Sequence, residues 1–279
     1  MRPATKVVAF GGGHGLGASL RALRLLRRPL GLDVTAVVTV GDDGGSSGRL
    51  RAERGGLPPG DLRQALAALA DPDDPVAQHT AELMQYRFDG DDALAGHPVG
   101  IEADVRGGDP DRPDDVIVIT GQHEVAVSRG TVERVRLHPP EPVACTEAVA
   151  AITGADWLIF GPGSWYTSVI PHLLVPGLAA AIASSGAKRL VTLNLATELE
   201  TIGLSLPDHL AALTRYLPAL RVDVVLADGK AVGDPEPVHR AAESLGAKLL
   251  LAPVAVPDGA PRHDPAALAA ALEPVLGPD

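Results

Sequence analysis

Near the N-terminus an apolar run, a glycine cluster and a helix-like stretch follow one another without a break: Val7–Phe10, then five glycines within Gly11–Gly17, then Ala18–Leu23. A strand feeding a glycine turn that opens a helix constrains the fold more than any other feature of the chain. Glycine backbone is costly to order, so such a cluster marks a place where something must approach the main chain closely. Free N–H groups at a helix start then face an anion, and a phosphate is the candidate. A tight strand-to-helix turn with no ligand is the plainer alternative.

The same alternation recurs along the chain. Lys6–Phe10 reads as the first strand, followed by a helix over about Leu16–Arg28. Val34–Val40 is a run of Val and Thr with almost no polar break, the pattern of a strand buried on both faces of a parallel sheet. Further strands are expected at Trp157–Phe160, Leu190–Leu195, Asp223–Ala227 and Lys248–Leu251. Helices are expected at Thr167–Ser184, Pro207–Tyr216, Pro237–Leu245 and Pro265–Leu276. Strands alternating with helices predict βαβ units. The fold class is therefore α/β: a Rossmann-like, doubly wound, mostly parallel sheet in three αβα layers. One domain spans residues 1–279, with an insertion at about 75–145. Around Asp71–Asp74 and Asp89–His97 the insertion is acidic and turn-rich. From Ile101 to Leu137 it reads as strands (VIVITG, EVAVS, TVERVRL), with a hairpin turn at Ser128-Arg129-Gly130.

Composition excludes several classes. A net charge of −11 disfavours a general binder of nucleic acid or anionic membrane. The single cysteine, Cys145, excludes an intramolecular disulfide and is expected to pack as a small buried side chain. The N-terminal apolar run is too short for a signal peptide. The stretch Val169–Ala183 is broken by Pro171, His172, Pro176 and Gly177, so no membrane insertion is expected and the cytoplasm is the default location. The histidines are scattered, without metal-ligand spacing.

The first glycine turn can be tested against known phosphate cradles. Gly12 to Gly17 has the Walker A spacing, but Ala18 stands where that loop needs lysine. Gly13, Gly15 and Ala18 meet the looser dinucleotide pattern G-x-G-x-x-G/A, a weak match by itself. The stretch VTVGDDGGSSGRLR (Val38–Arg51) sharpens the reading. Asp42 and Asp43 leave a strand at its carboxyl end, where open α/β sheets bind ligands. They can accept from ribose hydroxyls or a base edge, or hold Mg²⁺ through oxygen. Ser46 and Ser47 add hydroxyls, and Arg49 and Arg51 add cations suited to phosphate. In LPPGDLRQAL, Asp61 reads as a helix N-cap with Gln64 three residues on. FGPGSWYTS (Phe160–Ser168) is a second strand, glycine turn and helix start, with Ser164 and Thr167 able to meet phosphate oxygen. Two such turns in one sheet suit a diphosphate, or a nucleotide and a second phosphorylated group.

The stretches GGGHGL, VTVGDDGGSSGRLR, LPPGDLRQAL, GHPVG, GPGSWYTSVIPHLLV, ETIGLSLPDHL and RHDPAALA, in this order and over nearly the whole chain, resemble the gluconeogenesis-factor (YvcK-like) family. That family is similar to the 2-phospho-L-lactate transferases (CofD-like) of deazaflavin cofactor synthesis. The resemblance implies a cytoplasmic regulatory protein binding a UDP-sugar, UDP-N-acetylglucosamine or UDP-glucose. It also implies roles in carbon-source adaptation, cell shape and envelope synthesis, with no established reaction. It implies that Gly12, Gly13, His14 and Gly15 face the diphosphate and that Asp42 and Asp43 lie at the nucleoside or metal position. Gly163 and Ser164 would form the second phosphate turn, Asn194 and Thr197 would line the pocket, and Arg262 would approach the nucleotide. His14 stands where threonine is commoner, and ATELET departs from the family pattern at Glu198 and Leu199, which leaves Glu198 unassigned. Members continue past GHPVG with a long helical stretch, whereas here Gly100 runs straight into Ile101.

A metal-dependent phospho-ester transferase of the 2-phospho-L-lactate type is the alternative, with Mg²⁺ at Asp42 and Asp43. GGSSGRLR and LPPGDLR favour the nucleotide-sugar binder. A dehydrogenase with NAD at Gly13 and Gly15 is the third reading, and it lacks a substrate domain with a convincing His/Arg/Asp set. A homo-oligomer and an unnamed protein partner are compatible with each of these readings.

Overall fold

The computed structural model describes residues 3–44, 47–48, 59–71, 73–85, 100–106, 115–128, 130–138 and 140–277. Its strands are β1 (Thr5–Gly11), β2 (Leu32–Val38), β3 (Gly100–Arg106), β4 (Val116–Thr120), β5 (Thr131–His138), β6 (Trp157–Phe160), β7 (Lys188–Thr192), β8 (Val224–Ala227) and β9 (Lys248–Leu251). Six of them form one sheet in the order β2-β1-β6-β7-β8-β9, parallel throughout.

The central strands show why they form. In β1, Val8 and Phe10 point into one core and Val7 and Ala9 into the other; in β6, Leu158 and Phe160 oppose Trp157 and Ile159 in the same way. Successive strand side chains alternate between faces, so a strand covered on both sides must be apolar at every position. Each fully buried Leu, Ile or Phe contributes about 1.5–3 kcal/mol. Helices Gly13–Leu30 and Pro265–Leu276 cover one face through Leu16, Leu20, Leu23 and Leu268. Helices Thr146–Thr153, Pro176–Ser184 and Leu206–Tyr216 cover the other through Ile152, Ile182 and Leu210. The result is a doubly wound three-layer αβα fold.

Several local expectations are corrected. β2 is the sheet's edge; only Leu32 and Val37 in it are buried, one in each core, while Asp33 and Thr35 are exposed, so the strand is covered only in part on either face. Between β2 and β6, β3 pairs antiparallel with both β4 and β5. The EVAVS stretch is not a strand but part of a helix, Gln122–Val127. A helix ending at Val127, and not a strand, precedes β5, so the expected hairpin is not formed; Arg129 of the expected turn lies outside the described residues. The expected helix Thr167–Ser184 is broken into a π-helical turn, Trp165–Val169, and helices Pro171–Leu174 and Pro176–Ser184. A proline starts each of the two helices, since it has no N–H to continue the preceding one. The acidic stretch 89–97 lies outside the described residues. No helix among the described residues is long and apolar enough to cross a membrane.

Candidate functional site

From β1 the chain steps to β2 on one side and to β6 on the other. The strand order reverses between β1 and β6, and in open α/β sheets a crevice forms at the carboxyl ends of such a pair. Both glycine turns lie there, Gly11–Gly15 after β1 and Gly161–Ser164 after β6. They touch. A Cβ built on Gly15 would lie 2.2 Å from the Pro162 carbonyl oxygen and 2.7 Å from Gly163 Cα. Gly15 is thus the contact between the turns. Gly13 differs: its φ is +54°, and among the described residues a Cβ there would meet only Asp61 Oδ1, at 4.0 Å. The first helical bond runs from the Leu16 amide to the Gly12 carbonyl, at 3.2 Å. The amides of Gly13, His14 and Gly15 precede it, the position from which helix starts bind anions. The His14 side chain is exposed.

Three oxygen-bearing side chains gather beside this cradle. Asp61 accepts a hydrogen bond from the Gly13 amide, and burial first, then the Asp42 charge, push its carboxyl up to about 6 against the effect of that bond. A Cβ on Gly12 would come within 2.6 Å of Asp61 Oδ2. Around Gly60, a Cβ would meet Ser47 Oγ at 2.5 Å and Asp42 Oδ2 at 3.0 Å. The Gly60 amide donates to Ser47 Oγ at 3.1 Å. Asp42, Ser47 and Asp61 therefore converge. The helix carrying Asp61 begins at Pro59, so Asp61 sits inside its first turn and serves another element; it is not the N-cap expected. Asp43 points elsewhere. Its Oδ1 accepts from the His123 amide at 2.9 Å, and a Cβ on Gly121 would lie 2.6 Å from its Oδ2. The paired aspartates thus divide, Asp42 toward the cradle and Asp43 to the start of helix Gln122–Val127. Ser46, Arg49 and Arg51 lie outside the described residues.

The second turn is held from below. Asn194 is buried; its Oδ1 accepts from the Gly163 amide at 2.9 Å and its Nδ2 donates to the Gly163 carbonyl at 3.0 Å. Asn194 shapes the turn with both ends of its amide. Ser164 hydrogen-bonds Glu198. Thr167 is 1% exposed and bonds Glu200, which corrects the expectation that its hydroxyl meets phosphate. Thr197 is exposed. Arg262 is exposed too and pairs with Asp258 at 2.8 Å. Under both turns, Thr39 Oγ1 donates to the Ser168 carbonyl at 2.9 Å and lies 3.1 Å from His172 Nε2. Burial pushes His172 down to about 4, opposed by the Gly11 and Ser168 carbonyls, so its ring is neutral. Sequence reasoning missed Asp61, Glu200, Thr39 and His172 as site residues. Asp61 carried a signal, since it stands within LPPGDLRQAL; Thr39 and Glu200 show their roles only through contacts distant in sequence.

An apolar cavity of about 570 Å³ lies along the outer edge of β2, lined by Val37, Val40, Leu62, Val143, Cys145 and Val175 among others. Cys145 is exposed, which corrects its expected burial. It precedes helix Thr146–Thr153, where its Sγ donates to Glu147 Oε2 at 3.1 Å.

The chain matches the family model of 2-phospho-L-lactate transferase CofD over residues 7–112 and 102–248. It is 44% identical to a Mycobacterium tuberculosis protein provisionally named gluconeogenesis factor, over 98% of this chain and 91% of the relative. That alignment runs over 317 positions against 279 residues here, so the relative carries residues this chain lacks. The two pieces of the family match meet at residues 102–112, just beyond Gly100. The Bacillus subtilis gluconeogenesis factor is 34% identical over 82% of this chain and 80% of its own length. A crystal structure of a UPF0052-family protein from Bacillus halodurans superposes with a TM-score of 0.79 at 28% identity, covering 98% of this chain and 99% of that one. With the two glycine turns and the intervening acidic loop in these positions, the chain belongs to the CofD-like gluconeogenesis-factor family.

Proposed function

We propose that the chain is a cytoplasmic regulatory protein that binds a UDP-sugar, UDP-N-acetylglucosamine or UDP-glucose, in the crevice between β1 and β6. The observation that carries the reading is the meeting of two glycine turns at the point where the strand order reverses, with helix-start amides on one side. Oriented amides recognise a diphosphate without a metal or a lysine. Asp42 stands beside the cradle, where a carboxylate can accept from nucleoside hydroxyls. The relatives' name, gluconeogenesis factor, supports a role in carbon-source adaptation; roles in cell shape and envelope synthesis belong to the same proposal. Calorimetry with UDP-N-acetylglucosamine and with uridine tests it. The diphosphate compound should bind and the nucleoside should not; equal affinity for both would sink the diphosphate reading.

The approach of Asp42, Ser47 and Asp61 supports a second reading, a metal-dependent phospho-ester transferase. Two carboxylates and a hydroxyl are hard oxygen donors of the kind Mg²⁺ accepts, with phosphate oxygens completing its shell. The CofD family match supports the same chemistry. A chelator separates the readings. Affinity for the UDP-sugar that survives EDTA favours the binder, whereas affinity lost in EDTA and restored by Mg²⁺ favours the transferase.

A further inference from the structure

The loop after β7 grips the second glycine turn with two acids. Glu200 is 1% exposed, and its Oε1 accepts from the Tyr166 amide at 2.9 Å. Thr167 adds bonds from its hydroxyl and its amide. Glu198 takes the Ser164 hydroxyl. The two stand on one short 3-10 turn, locked by the Glu198 amide donating to Thr201 Oγ1 at 3.1 Å. Each keeps its Oε2 buried and without a hydrogen-bond partner among the described residues. Two carboxylates with bare buried oxygens repel each other and lack solvent; such pairs titrate jointly and retain a proton.

We propose that Glu198 and Glu200 are positioning residues that share a proton beneath the Gly163–Ser164 turn, and that the pair takes up further proton when an anionic ligand docks on that turn. This rests on the diphosphate reading of the crevice. Burial first, and the charge of Glu198, push Glu200 up to about 7, while the Tyr166 and Thr167 bonds oppose the rise. Burial raises Glu198 as well, against the Ser164 bond. The elements packed against the 3-10 turn carry Tyr166 on the π-helical turn, His123 and Glu124 on helix Gln122–Val127, and Glu133, Arg134 and Arg136 on β5. Among all of these and Glu198, only the Glu198 charge bears on Glu200. Negative charge arriving above Ser164 disfavours ionisation of the pair still further. The diphosphate diester of a UDP-sugar does not titrate near neutrality, so any proton taken up goes to the protein.

The test is calorimetry of UDP-N-acetylglucosamine binding to the full chain at pH 7.5, in two buffers of different ionisation enthalpy. The wild type should take up a measurable fraction of a proton per ligand, and affinity should rise as pH falls from 8 to 6. Glu198→Gln and Glu200→Gln keep acceptors for Ser164 and Tyr166; each should lower the uptake by half or more and flatten the pH profile. Uptake absent in the wild type, or unchanged in both variants, would overturn the proposal. Glutamate δ-carbon NMR of the ligand-free protein reads the shared proton without any ligand. One glutamate should titrate above pH 6 in the wild type; that titration should vanish in Glu200→Gln and move to lower pH in Glu198→Gln, where burial still raises Glu200 but the neighbouring charge is gone. Titration of every glutamate below pH 5 would overturn the shared proton, whereas absence of UDP-sugar binding beside a high-pH glutamate would overturn only the ligand reading.

Discussion

Gly15→Ala isolates the contact between the two glycine turns. The added methyl would start 2.2 Å from the Pro162 carbonyl oxygen and 2.7 Å from Gly163 Cα. Carbon–oxygen contacts settle at about 3.3 Å or more, so the turns must part by about 1 Å. Neither neighbour is a flexible side chain. Both are backbone, and the Gly163 side is clamped by Asn194 through two hydrogen bonds. Overpacking of this kind costs about 1–3 kcal/mol. Alanine recovers up to about 1 kcal/mol over glycine within a helix, and Gly15 lies in the first turn of Gly13–Leu30. With the full helix gain the net loss is about 0–2 kcal/mol, each kcal/mol lowering the melting temperature by roughly 2–4 °C in a domain of this size. Ligand affinity should fall much further, because the site needs both turns at their present spacing. Denaturant titration and calorimetry on the same preparation measure the two effects. A variant as stable as the wild type that binds UDP-N-acetylglucosamine normally would refute the argument that this contact builds the crevice.

Gly13→Ala should separate binding from stability. Its positive φ costs about 1 kcal/mol with a side chain present, but none of the described residues crowds it; a folded protein with no UDP-sugar affinity is expected, and normal affinity would make Gly13 a turn residue only. Asp61→Asn should stabilise the ligand-free protein at pH 8 by about 1–3 kcal/mol, the worth of a carboxyl raised from 3.8 to about 6. The sign follows from linkage. Above pH 6 the aspartate is ionised in both states and its burial penalty is complete; below 3.8 it is protonated in both and the penalty is gone. Denaturation at pH 8 and pH 3 should therefore show a large difference between variant and wild type at the higher pH and almost none at the lower.

How much of this was legible depends on where the information lies. β1, β6 and their glycine turns were readable because each is specified by consecutive residues. A strand covered on both faces has to be apolar throughout, as Val7–Phe10 and Trp157–Phe160 are, and a chain turning at a phosphate cradle has to be small. Helix Gln122–Val127 was not readable. Its valines favour a strand, and the group that takes the His123 amide in its first turn, Asp43, stands 80 residues away. Long-range contacts of this kind override a local preference that is worth at most about 1 kcal/mol.

The acidic residues show the same division more sharply. Asp42 and Asp43 are neighbours of identical chemistry, and nothing in their order says which will face the ligand. The choice is made by the three-stranded insertion: its helix Gln122–Val127 presents an amide that takes Asp43, and the Asp61 helix brings Gly60 against Asp42. Asp61 in turn holds an amide of the cradle itself, Gly13. A phosphate arriving there meets an N–H already engaged by a carboxylate, flanked by a second carboxylate. Either Asp61 withdraws, or it is neutralised by a proton or a cation. The glycines make an anion site, but the charges around it set the terms on which an anion is admitted. For that reason substitution of Asp61, more than of any glycine, should discriminate a metal-free binder from a metal-dependent transferase. Asparagine at this position relieves repulsion and tightens diphosphate binding in the first case; it removes a metal ligand and weakens binding in the second.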